Sequence, residues 1–225
     1  MGKPTRSRDK KQKSPANRPV YALGAIILAA VVIAVLLITL NLTQGATQTA
    51  DLPNPAGMSL GDPNAPVKVE EFSDFQCPYC AQFALNAQAG FIEKYVKTGK
   101  VYFTYIPFSF IGPESVRAAE AAYCAADQNK FWEFHDTLFK NQGGENTGVF
   151  SDNKLIGFAQ KTGLNMAEFR SCFDSGKYKE KVQTDLNDGK ARGVTGTPSF
   201  IVNGQKPVFA NALESAIEQA LNGGN

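Results

Sequence analysis

The sequence predicts an α/β (α+β) layered domain preceded by one N-terminal transmembrane helix. Three observations carry that expectation. Residues 20–40 are a charge-free apolar run of twenty-one residues, about the length a helix needs to cross a bilayer. Beyond it, two stretches rich in β-branched and aromatic residues flank a helical apolar pattern, which reads as strand–helix–strand. Near the C-terminus a strand, the pair Asn203-Gly204, a second strand and an amphipathic helix follow in close order.

The 225 residues, 43% of them hydrophobic and 20% charged, suffice for one globular domain of ordinary size and exclude a wholly disordered chain. Charge is unevenly placed. Residues 1–19 carry seven Lys or Arg against one Asp, net +6, and the remainder carries 16 basic and 20 acidic residues, net −4. A mildly acidic body argues against nucleic-acid binding. Positive charge just before the apolar run places residues 1–19 as a basic cytoplasmic tail and residues 20–42 as a transmembrane anchor. The folded domain that follows would then be extracytoplasmic, on a single-pass protein of the cell membrane. A cleavable signal peptide is the rival. Its apolar region spans about 7–15 residues and ends at an A-x-A-like site. Here the run is longer, with only Gln44–Ala46 or Gln48–Ala50 at that spacing, so an uncleaved anchor is expected. Residues 43–59 are poor in large apolar side chains and read as a flexible linker. The domain proper is expected over 60–222.

Within it, residues 67–73 suit a strand, residues 78–97 a helix stopped at Thr98-Gly99-Lys100, and residues 101–107 a second strand. Several helical segments follow between Glu114 and Arg192, broken at Asn129, Gly143-Gly144, Gly163 and Gly176. Residues 199–202 and 205–209 around Asn203-Gly204 form a tight-hairpin signature, with Pro207 pushing the second strand to a sheet edge. Leu213, Ile217, Ala220 and Leu221 give the last helix its apolar face.

The chemistry lies in four cysteines: Cys77, Cys80, Cys124 and Cys172. Cys77-Pro78-Tyr79-Cys80 is a C-x-x-C that follows the first strand and opens the first helix. A cysteine there meets unpaired N–H groups and the positive end of the helix dipole, both of which stabilise a thiolate. Pro78 fits the first turn, where its missing N–H is not needed. Cys77 is therefore the candidate nucleophile and Cys80 the resolving thiol. The alternative, half of a structural zinc site, lacks a second close pair of ligands, since Cys124, Cys172 and His135 are scattered. No metal and no cofactor are expected.

The run Leu60-Gly61-Asp62-Pro63-Asn64-Ala65-Pro66 and the run from Val69 through Cys80 resemble the DsbA-like thioredoxin-fold proteins, as do residues 131–136 and Gly193-Val194-Thr195-Gly196-Thr197-Pro198. The resemblance covers nearly all of residues 58–222. It implies a thioredoxin fold with a helical insert over about 113–192, and a thiol:disulfide oxidoreductase acting on exported proteins with free thiols. It also implies a quinone-coupled membrane protein as reoxidant. By the same resemblance Pro198 is the family's cis-proline, with Thr197 before it lying against the C-x-x-C and offering its backbone to an extended client. Glu71, six positions before Cys77, stands where the family keeps an acidic residue beneath the site, to accept or relay the Cys80 proton. A charge on an exposed strand face is its plainer reading, and adjacent Glu70 shares that pattern.

The dipeptide is Pro-Tyr where the family's best-known oxidase has Pro-His, and Thr before the proline also occurs in reducing and isomerising relatives. An exported reductase or isomerase using the same couple, or a non-catalytic chaperone-like module, are the alternatives. Cys124 and Cys172 both fall in the insert. In an exported domain with an even cysteine count they are expected to form a structural disulfide, with buried free thiols or a second redox pair as other readings. His135 reads as a packing or surface residue, and Phe108 with Phe110 as part of an apolar rim.

Overall fold

The computed structural model describes Gly2, residues 27–33 and residues 52–223. The chain divides into two compact units, Met1–Ala50 and Asp51–Asn225. In the first, residues 27–33 are helical, with Ile27, Leu28, Val31, Val32 and Ile33 exposed. Among the described residues no helix is long and apolar enough to cross a membrane. The expected tail over 1–19, apart from Gly2, and the rest of the expected anchor over 20–42 lie outside them.

The second unit is a five-stranded sheet in the order β1-β3-β2-β4-β5. Its strands are β1 (Ser59–Leu60), β2 (Val67–Ser73), β3 (Val101–Pro107), β4 (Ser199–Val202) and β5 (Val208–Phe209). Only β2 and β3 run parallel, joined by the helix α1, and every other pair is antiparallel. α1 passes without a break through Pro78–Gln82, a π-helical turn Phe83–Ala87, Gln88–Phe91 and a second π-helical turn Ile92–Val96. It stops as Thr98-Gly99-Lys100 predicts. Gly99 adopts the left-handed conformation (φ 72°), and the Lys100 N–H donates to the Tyr95 carbonyl. The insert holds five helices: α2 (Pro113–Ala126), α3 (Phe131–Lys140), α4 (Asp152–Lys161), α5 (Met166–Asp174) and α6 (Lys179–Ala191). After it come β4, β5 and the closing helix α7 (Ala210–Leu221).

Strand alternation sorts the core into two layers. On one face, Val69, Phe103, Tyr105 and Phe200 meet α1 and α7 through Phe83, Phe91, Leu213 and Ile217, and the same cluster runs on into the insert. On the other, Phe72, Phe108, Val194 and Ile201 form a smaller cluster with Ile106 and with Leu186 of α6. α6 approaches closely because Gly189 has no side chain: a Cβ there would stand 2.6 Å from the Phe108 ring and 2.9 Å from the Phe72 ring.

Two sequence boundaries shift. Residues 52–59, assigned to the linker, already belong to the fold: Ser59 pairs with Thr104, and the Met58 and Pro53 carbonyls accept from Tyr105 and Gly61. A strand of two residues carries no periodic signal. The hairpin's second arm is also shorter than the expected 205–209, because Pro207 has no N–H to continue the ladder beyond Val208. Asn203 instead pairs with the neighbouring strand, its N–H donating to the Lys68 carbonyl and its Oδ1 accepting from the Lys68 N–H.

Candidate active site

Strand β2 ends at Ser73, and four residues later Cys77 caps α1, with extended backbone (φ −73°, ψ 121°) and Pro78 in the first turn. Cys77 and Cys80 are both free thiols, so the couple is in its reduced form. Cys77 is 5% exposed and Cys80 fully enclosed, which leaves Cys77 as the sulfur open to a partner. Tyr79 between them points outward and is 69% exposed. The Thr197–Pro198 peptide is cis, and the Thr197 carbonyl lies 3.3 Å from Cys77 Sγ, close enough to accept from the thiol. The Thr197 hydroxyl is buried and has no hydrogen-bond partner.

These neighbours split the two thiols. The Cys80 thiol donates to the Cys77 sulfur, the Thr197 side chain is beside it, and the Tyr79 and Cys80 backbone N–H groups point at it, so the Cys77 thiol is pulled down to about 6 despite its burial. Cys80 is pushed well above the ordinary thiol value, first by burial, then by the Cys77 sulfur and by Glu71.

Glu71 and Glu70 part company across the sheet. Glu70 is only partly buried and is held by the Arg192 guanidinium, with Nη1 3.0 Å from Oε1. Glu71 is fully buried on the α1 face, paired in register with Tyr105 and Phe200, and neither carboxyl oxygen has a hydrogen-bond partner. Burial pushes it up to about 8, with the nearby Ser73 hydroxyl offsetting a part and the Cys77 sulfur adding to it. Ser73 Oγ and Tyr105 Oη are likewise buried without partners, and Glu71 and Cys80 both act on the Tyr105 phenol. A polar cluster of Glu71, Ser73 and Tyr105 therefore lies beneath the dithiol. Ser73 and Tyr105 escaped the sequence reading, although strand period places both on the face of Glu71.

A second group, also missed, frames Cys77 from the active-site turn and the insert. Asp74 accepts from the Gln76, Phe110 and Ile111 N–H groups and from Ser115 Oγ. Gln142 Nε2 donates to the Phe75 and Cys77 carbonyls. Apart from the turn that joins Asp74 to Gln76, their partners lie far away in sequence, so no local motif brings them together.

Cys124 of α2 and Cys172 of α5 are joined in a disulfide across 48 positions. Closing a loop of that span stabilises the fold by about 4 kcal/mol on the chain-entropy model. His135 is fully buried among Phe75, Tyr105, Phe131, Trp132 and Phe139, with Nδ1 3.0 Å from Asp136 Oδ1. Of the expected rim, Phe110 is exposed and Phe108 is buried against Phe72. Among the described residues no three His, Cys, Asp or Glu side chains gather to hold a metal ion.

Known proteins share this architecture. The chain is 30% identical over 215 residues to "Probable disulfide bond formation protein D" of Bacillus anthracis, covering 92% of this chain and 98% of that one. The crystal structure of oxidised BdbD from Bacillus subtilis matches the fold with a TM-score of 0.67 at 24% identity, covering 76% of this chain and 96% of that one. Oxidised Mtb DsbA matches with a TM-score of 0.58 at 31% identity, over 72% and 88% of the two chains. The family model described as Thioredoxin spans residues 53–220. On that coverage, and with a free dithiol at the head of α1, the chain belongs to the thioredoxin family as a DsbA-like thiol:disulfide oxidoreductase.

Proposed function

We propose that the protein is a membrane-tethered oxidase that introduces disulfide bonds into exported proteins through the Cys77–Cys80 couple. The observation that carries this reading is the asymmetry of the pair: Cys77 is pulled down to about 6 while Cys80 is pushed up. A thiolate stabilised in the reduced form makes the disulfide form a stronger oxidant. In the forward direction a client thiolate attacks Cys77 of the enzyme disulfide, and the S–S bond breaks toward Cys80, which leaves as a thiolate and takes a proton. A second client thiolate then attacks the client sulfur of the mixed disulfide and expels Cys77 as a thiolate. The client loses two electrons and two thiol protons, the enzyme gains both electrons and one proton, and the other proton goes to solvent. Glu71, protonated below about 8, is the group beneath Cys80 able to supply that proton. Thr197, whose carbonyl faces Cys77 Sγ, offers main chain for an extended client segment.

The tether, an anchor over 20–42, rests on the apolar run over 20–40 behind seven positive charges; residues 27–33 of it are helical. Anchored there, the folded unit would work outside the cytoplasm and meet a quinone-coupled reoxidant by diffusion in the same bilayer. Tyr79, where a histidine would further stabilise the thiolate, favours the second reading of a reductase or isomerase. One assay separates the two. The oxidised full-length chain is mixed with a reduced multi-cysteine client, and the reduced chain, whose Cys77 thiolate can attack a disulfide, with a scrambled, fully oxidised one. Loss of two client thiols per enzyme disulfide, with the scrambled client left unchanged, is expected. Faster correction of the scrambled client than oxidation of the reduced one would overturn the oxidase reading.

A further inference from the structure

We infer that Gln142, on the loop between α3 and α4 of the insert, is a positioning residue for the Cys77 nucleophile. The inference rests on the redox reading of the Cys77–Cys80 couple. It starts from one amide group that grips the active-site turn at two points: Gln142 Nε2 lies 2.8 Å from the Phe75 carbonyl oxygen and 2.9 Å from that of Cys77. The backbone dihedrals between those two carbonyls are those of Gln76 and Cys77. An amide that holds both carbonyls therefore fixes the rotation that aims Cys77 Sγ. The Cys77 carbonyl is also the first acceptor of α1, taking the Ala81 N–H at 3.1 Å, so the same contact locks the nucleophile to the helix end.

The loop around Gln142 is held in place on each side. Before it, Asn141 Nδ2 donates to the Thr137 carbonyl at 2.7 Å. After it, the Asn146 N–H donates to Gln76 Oε1 at 2.6 Å, while Gln76 Nε2 donates to Ser115 Oγ at 2.8 Å. Farther on, the Gly148 and Phe150 N–H groups donate to the two oxygens of Glu114, at 2.6 and 2.8 Å, and the Phe150 side chain is fully buried. The insert thus reaches the nucleophile through a clasp anchored in α2 and in the core. Thiolate stabilisation depends on the angle and distance of the Tyr79 and Cys80 N–H groups, so it is sensitive to any rotation of Cys77. Gln142 touches neither sulfur. Its effect passes through the backbone it holds.

The test compares the full-length chain with Gln142→Ala, Gln142→Glu and Gln142→Lys. The readouts are Cys77 alkylation against pH, the equilibrium with glutathione and thermal unfolding. Alanine removes both donors and is expected to lower the thiolate fraction at pH 6 about threefold, with a similar shift of the equilibrium toward the disulfide. Glutamate, which can only accept, is expected to exceed that. Lysine restores a donor and is expected to stay at the parent value or on its thiolate side. If alanine lowers the unfolding temperature but leaves the alkylation profile and the equilibrium unchanged, Gln142 is a structural staple and the inference fails. If alanine matches the parent while lysine and glutamate shift in opposite directions, only charge matters and the inference also fails. Failure of the redox reading looks different: Cys77→Ser would then retain client oxidation whatever the Gln142 variants do.

Discussion

Replacing Cys77 with serine is expected to reduce client oxidation to the uncatalysed background, a loss of at least about 10³-fold. The hydroxyl at that position cannot form the enzyme disulfide and does not ionise near neutral pH, so the N–H groups at the head of α1 have no anion to stabilise. The fold should be little affected, because Cys77 contributes a small side chain at the edge of the core. Cys80→Ser has a different signature. Cys77 remains nucleophilic but cannot be released from within, so mixed disulfides with a pre-oxidised client accumulate and are visible on a non-reducing gel. Full oxidase activity in Cys77→Ser would remove the nucleophile from the account. Absence of trapped adducts in Cys80→Ser would remove the resolving role.

Glu71→Gln is expected to stabilise the protein by about 4 kcal/mol at pH 8 and to leave stability unchanged near pH 4.5. The sign follows from burial. Glu71 lies in the apolar layer under α1 with no partner for either oxygen, and its folded value is raised to about 8. Below the ordinary carboxylate value both folded and unfolded chains carry the proton, and the group has no effect. As pH rises toward 8 the unfolded chain loses its proton while the folded chain keeps it, so stability falls through that window and the deficit is complete above it. Glutamine has nothing to ionise and removes the slope. Denaturant unfolding at pH 4.5, 6 and 8 reads this directly. The same variant bears on the chemistry. If Glu71 hands the proton to Cys80, client oxidation below pH 8 falls by about 10²-fold as stability rises. Stability gained with no loss of rate would make Glu71 a buried charge and nothing more. No change in either would contradict its placement beneath the dithiol.

The legible part of this site was the part built from local rules. A C-x-x-C between a strand and a helix, with Pro78 in the first turn, needs only a short stretch of chain to be seen. The α/β layering followed from periodicity in β2, α1, β3 and α7. Glu71 was harder, because Glu70 beside it has the same composition. Only the pairing of Arg192 with Glu70, from a residue 122 positions away, shows which carboxylate faces solvent and which faces the core. Ser73 and Tyr105 were within reach of strand alternation once the Glu71 face was chosen.

Other features had no local signal. The clasp around Cys77 joins Gln76 to Asn146 over 70 positions and Cys77 to Gln142 over 65, through polar side chains in a loop that has no period. Its residue types match any solvated loop, and only the packing of the insert brings them to the active-site turn. Ser59 of β1 was assigned to the linker for a related reason, since a strand of two residues cannot display an alternation. The end of the hairpin was misjudged because Asn203-Gly204 predicts a tight turn. Pro207 denies the second strand one of its donors, and Asn203 spends its own hydrogen bonds on Lys68. The π-helical turns of α1 likewise leave no trace in the apolar spacing of residues 78–97.

The reduction potential of the Cys77–Cys80 couple, measured in glutathione buffers with thermal unfolding of both redox forms in the same samples, tests the central claim most directly. The lowered Cys77 value gives the reduced form a stability that is complete above the ordinary thiol range and is lost as pH falls through about 6. The disulfide form has no such contribution, so the stability gap between the two forms should be wider at pH 7.5 than at pH 5. An oxidase predicts a potential near that of DsbA, about −120 mV, with the reduced form more stable at neutral pH. A potential near that of thioredoxin, about −270 mV, with the disulfide form more stable, would contradict the account and turn the flow of electrons around.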